Sequence, residues 1–71
     1  MKGFRFLVDS KAARISDAYA KSKGISEDEA MKLFLGSLTF SVLNDVETGV
    51  YLEVFEFVYD MFLDERGELE E

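Results

Sequence analysis

Three observations predict an all-α fold, a compact small helical domain of three main helices and one short helix spanning residues 1–71. Apolar residues recur at helical spacing near the start of the chain, and a serine followed three residues later by a glutamate marks an internal helix start. Near the end, Glu53, Glu56, Asp60 and Asp64 are spaced by three, four and four in an otherwise apolar run, VYLEVFEFVYDMFLD. On a helix these four carboxylates fall within an arc of about 80°.

The first helix is expected from about Phe4 to Lys23, with Phe4, Leu7, Val8, Ala12, Ile15 and Tyr19 on one face and Arg5, Asp9, Ser16 and Asp17 elsewhere. Gly24 can take the positive φ that ends a helix, and Ile25 behind it can make the hydrophobic contact of a Schellman stop. Ser26 and Glu29 form the capping box of the second helix, with Glu27 and Asp28 in the first turn, where the helix dipole favours anions. That helix is expected from Glu27 to about Leu35, burying Ala30, Leu33 and Phe34, until Gly36 and Ser37 interrupt it. Leu38 to Asn44 is long enough for a short helix, and NDVETG at 44–49 reads as a turn whose Gly49 tolerates positive φ. The last helix follows, and the acidic end from about residue 66 to 71 is expected to be disordered.

A β-hairpin is the competing reading of the second half, since TFSVL and VYLEVFEFVY are rich in β-branched and aromatic residues. Parity decides against it. Strand residues two apart share a face, so Glu53 and Glu56 would point to opposite sides and no alternation would survive. At the N-terminus, Phe4, Phe6 and Val8 alternate with Arg5, Leu7 and Asp9, a strand-then-helix signal. Followed by a helix, Gly24, Ser26 and a second helix ending MKLFL, it resembles the ribbon-helix-helix antitoxins and repressors over roughly the first half of the chain. That resemblance implies a dimeric ribbon reading DNA and gives the alternative function. It requires residues 4–8 to be a strand.

A second resemblance covers about two thirds of the chain. Ile25, Ser26, Glu29, Ala30, Leu33, Phe34 and Ser37 lead into the run S-x-T-F-x-x-L-x-D-x-E-T-G-x-Y, carried by Thr39, Phe40, Leu43, Asp45, Glu47, Thr48, Gly49 and Tyr51, with Glu65 beyond it. This pattern resembles a family of small uncharacterised bacterial proteins, a domain of unknown function often encoded beside ADP-ribosyltransferase-like toxin genes. Many members open the last helix with Ser-Pro, where this chain has Val54 and Phe55. The family has no established activity. The resemblance therefore implies fold and gene context, with an antitoxin-like or toxin-accessory role.

Composition narrows the chemistry. The chain has no His and no Cys, which removes imidazole bases, thiol nucleophiles, disulfides and the usual zinc clusters. Ser and Thr lack an activating base, so no enzyme activity, no cofactor, no metal and no small-molecule ligand are expected. The acids at 27–29 read as helix-dipole partners, and Asp45, Glu47 and Thr48 as turn residues without calcium-loop spacing. No segment approaches the roughly 20 apolar residues of a membrane span, and no signal peptide is evident. A cytoplasmic protein is expected, in keeping with the absence of cysteine.

The net charge of −7 is unevenly placed: residues 1–32 carry seven bases against five acids, and residues 33–71 carry Arg66 against ten acids. Such an acidic half repels phosphate backbones, so nucleic acid is not an expected partner; Lys11, Arg14, Lys21 and Lys23 read as a solvated helix face interrupted by Asp9 and Asp17. A domain of about this size buries only about 60% of its unfolded surface, and neither disulfide nor metal supplements it here. Association is the remaining supplement. Phe55, Val58 and Phe62 are expected in the core, leaving Phe57 with Met61 on one flank of the last helix and Tyr59 with Leu63 on the other. The expected partner is a protein or a second copy, as a homodimer, bound by one of these flanks and oriented by Glu53, Glu56, Asp60 and Asp64.

Overall fold

A computed structural model describes residues 2–69 and contains α1 (Lys2–Lys23), α2 (Glu27–Leu35), α3 (Leu38–Leu43) and α4 (Phe55–Glu65), with 3-10 turns at Val46–Thr48 and Val50–Leu52 between α3 and α4. There is no strand among the described residues. Residues 4–8 lie in α1, so the ribbon required by the DNA-binding alternative is not formed. The local reason is that Val8, Ala12, Ile15 and Tyr19 bury one helical stripe whose first turns continue through Phe4, half-buried edge-on against Tyr51 at 4.8 Å. A strand at 4–8 would break that register.

The punctuation follows local chemistry. Gly24 adopts φ 69°, and the Ile25 amide reaches back to the Ala20 carbonyl at 3.1 Å, the six-to-one bond of a Schellman stop. Ser26 Oγ accepts the Glu29 amide at 3.1 Å and starts α2, which folds back on α1. Ala30 and Phe34 are buried there, whereas Leu33, expected inside, is exposed. Gly49 takes φ 71° between the two 3-10 turns.

The core meets at Phe62, whose ring makes edge contacts with Tyr19 of α1 and Phe34 of α2, each at 5.1 Å between centroids. Edge-to-face pairs contribute about 0.5–1.5 kcal/mol beyond area burial. Val58 and Leu43 complete the buried centre.

Helix α3 has only six residues, too short to hold itself, and its free amides are closed from two sides. Ser37 Oγ accepts the Phe40 amide at 3.1 Å, while the Glu65 carboxylate, at the end of α4, accepts the amides of Leu38 and Thr39 at 2.8 Å and the Thr39 hydroxyl at 2.7 Å. Helix α4 begins differently: Val54 stands at its N-cap with no side-chain hydrogen bond.

Partial burial pushes the Glu65 carboxyl up, but the hydrogen bonds from Thr39 and Leu38 outweigh it and hold the group below its ordinary 4.5. A lowered folded value contributes stability that is present above pH 4.5 and lost as pH falls through the lowered value. Glu65→Ala should cost about 1 kcal/mol at pH 7, measured as a shift of the urea midpoint. The gap between wild type and variant should close as the acid limb is entered.

Candidate functional site

Helix α4 divides into a core edge, two flanks and a solvent edge because its buried residues, Val58 and Phe62, are four apart. Glu56, Asp60 and Asp64 are exposed on the solvent edge, as expected. Glu53 is not on the helix: it caps the Val50–Leu52 turn with extended backbone, φ −76° and ψ 159°. Extended backbone at Glu53 and Val54 separates it from α4, so its spacing of three to Glu56 is not a helical one and periodicity alone places the helix start too early.

The two flanks have different fates. On one side Phe55, expected in the core, is half-buried and stacks on Tyr59 at 5.3 Å, with the Arg14 guanidinium over the Phe55 ring at 4.3 Å. Tyr59 and Leu63, also half-buried, border a cleft of about 350 Å³ shared with Ser22 and Lys23 of α1 and with Glu68 and Leu69. Burial pushes the Tyr59 phenol above its ordinary 10.0. This flank is covered from within the chain.

That cover comes from the segment expected to be disordered. Gly67 turns the chain at φ 72°, and the Glu68 amide reaches the Leu63 carbonyl at 2.8 Å. The buried Tyr19 hydroxyl then donates to Glu68 at 2.7 Å and accepts from Arg66 Nε at 2.6 Å, with Lys23 Nζ 3.4 Å from Glu68. Residues 66–69 are therefore clasped to the last turns of α1, and 70–71 lie outside the described residues. Gly67 after a run of helical spacing is the signal that could have announced the stop.

On the other side Phe57 is 47% exposed and Met61 is half-buried. Met61 and Val42 line a groove of about 340 Å³ between α3 and α4, with Leu38, 72% exposed, at its rim and Asp64 beside it. Val54, 65% exposed, precedes Phe57 by three residues and continues the strip along α4. The apolar strip Val54, Phe57, Met61 thus runs beside the carboxylates Asp60 and Asp64. Sequence periodicity found Phe57 and Met61 but missed Leu38 and Val42, because their position depends on how Glu65 seats α3.

The basic set of α1 is largely engaged. Lys21 pairs with Asp17 at 3.1 Å, and Arg5 pairs with Asp9 at 3.5 Å and bonds the Asn44 side chain. The Lys21 ammonium holds Asp17 below its ordinary value, and the Asp17 carboxyl beside Glu27 raises Glu27. Among the described residues no helix is long and apolar enough to cross a membrane.

No family model, no curated protein and no solved structure matches the chain.

The clasp yields a prediction with two pH limits. Its bond to Tyr19, with help from Lys23, holds the Glu68 carboxyl below 4.5, so that contribution is lost as pH falls through the lowered value. Burial, with Glu68 beside it, holds the Tyr19 phenol above 10.0, so its contribution is full below 10.0 and lost as pH rises through the raised value. Tyr19→Phe keeps the ring and removes both hydrogen bonds. It should cost about 1 kcal/mol and accelerate amide exchange at residues 67–69, read by hydrogen exchange at neutral pH; unchanged exchange there would show that the clasp does not hold the segment.

Proposed function

We propose that this chain is a non-enzymatic protein-interaction module that docks a partner on the face formed by α3 and α4, with an antitoxin-like or toxin-accessory role in the cytoplasm. One observation carries the reading: Leu38, Val54 and Phe57 are exposed large apolar residues, and Met61 joins them across a groove bordered by acids. Contiguous apolar surface rimmed by polar groups is the ordinary signature of a protein-binding face. Phe57 also supplies what hot spots require, a rigid aromatic near the middle of the strip.

Two further considerations support the same reading. The absence of His and Cys leaves few groups for catalysis, and Ser26, Ser37 and Thr39 have their hydroxyls committed to helix starts. The resemblance to small proteins encoded beside toxin genes supplies the role, and the product of an adjacent gene is the natural first partner to try. Of the two flanks, the Phe57 side is favoured because Phe57 is exposed, whereas Tyr59 and Leu63 are both half-buried and partly covered by the returning end of the chain.

The test uses the whole chain. Wild type should bind a hydrophobic dye and co-purify with the adjacent gene product or with itself; Leu38→Ser with Phe57→Ser should lose both, and Glu47→Ser, which lines neither the groove nor the strip, should lose neither. The double variant should remain folded by circular dichroism, since both side chains are exposed. A wild-type chain that is monomeric by light scattering and takes up no dye would sink the proposal.

A further inference from the structure

From Leu33 to Glu65 the chain contains seven carboxylates and not one lysine or arginine. This stretch forms α3, both 3-10 turns and α4, so the α3–α4 face sits in a field of one sign. We infer that the occupant of the groove lined by Val42 and Met61 is a basic amphipathic helix of a different protein, a conclusion that rests on the docking reading above and adds the partner's chemistry to it.

A second copy is the obvious competitor, and charge argues against it in both arrangements. A two-fold dimer through α4 would set Asp60 and Asp64 against their own counterparts, because such an interface opposes a patch to itself. Like charges brought together across an interface are penalised. A head-to-tail contact would join two chains of net charge −7, and most of the described cations are engaged within the chain: Arg14 lies over Phe55, Lys21 is paired with Asp17, Lys23 and Arg66 with Glu68, and Arg5 with Asp9, leaving Lys11 and Lys32 outside these contacts. A basic partner supplies the complementary charge without that mutual repulsion.

The shape selects a helix. The apolar strip Val54, Phe57, Met61 repeats at three and four along α4, which is roughly 16 Å long. The groove beside it lies between two helices, with Leu38, Val42 and Met61 as its apolar lining, and no strand stands beside it among the described residues, so it offers no edge for an added strand. About three turns of a partner helix would lay apolar residues at i, i+3 or i+4, and i+7 onto Phe57 and Met61, with lysines or arginines on the side facing Asp60 and Asp64. The thioether of Met61 accommodates varied side chains in such a groove.

The experiment is a selection on the full-length chain from a displayed library of 18-residue helical peptides. Their apolar stripe is held constant, and the flanking positions vary among Lys, Arg, Gln and Glu. Wild type should enrich Lys and Arg on one flank; the winning peptide, titrated by fluorescence anisotropy, should bind Asp60→Asn/Asp64→Asn about three- to tenfold more weakly at low salt, with the difference shrinking as salt rises. Phe57→Ala should weaken it by more than about tenfold. Enrichment of neutral or acidic flanks, no enrichment at all, or equal binding by the Asn variant would overturn the basic-partner inference. So would wild type forming a dimer that Phe57→Asp dissolves, although that result keeps the docking face. Equal binding by Phe57→Ala overturns the face itself, which separates the two failures.

Discussion

The Glu65 carboxylate is the contact on which the rest of the surface depends. Helix α3 is one and a half turns of chain with no intrinsic persistence, and its first amides would otherwise point at solvent. Two oxygens at the end of α4 satisfy them and fix the angle at which α3 meets α4. The groove of Val42 and Met61 is the space left by that angle. One acidic residue therefore works as a cap for one helix and a terminus for another, and the shape of the proposed binding face is a by-product of satisfying backbone donors.

Charge is used differently in the two halves of the molecule. Of the cations of the first half, Arg14 and Lys23 are spent on contacts that bind α1 to α4 and to the returning end of the chain, and Arg5 and Lys21 on carboxylates of α1 itself. Arg14 over Phe55 and Arg66 on Tyr19 are exposed cation–π contacts, worth about 0.5–1 kcal/mol each. The acids of the second half, Glu65 apart, mostly remain in water.

Much of the fold is legible in the residues, and the reasons are local. Ser26 with Glu29 locates the start of α2, Gly24 with Ile25 the end of α1, and Gly49 the reversal before α4, because each is a short-range rule with its partner within five positions. The start of α4 is not legible: the acidic series begins at Glu53, just past the 3-10 turn, and extended backbone at Glu53 and Val54 separates that residue from the helix without breaking the spacing. The long-range contacts are invisible for a related reason. Tyr19 and Glu68 are 49 positions apart and Glu65 and Thr39 are 26 apart, so nothing in either neighbourhood specifies the other. Hence periodicity identified Phe57 and Met61 as half of a surface and could neither supply Leu38 and Val42 nor say that Tyr59 and Leu63 are covered.

Val54 has a consequence for how this surface can change. A helix start usually carries Ser, Thr, Asp or Asn, and replacing such a residue by an aliphatic one forgoes about 1 kcal/mol. Here the position holds an exposed isopropyl group that leaves the first amides of α4 to solvent. Hydrophilic substitutions at this one site would make the fold sturdier while eroding the greasy strip, so durability and stickiness are traded against each other at a single codon. A lineage selected only for thermal robustness would be expected to drift toward a capped, less adhesive face.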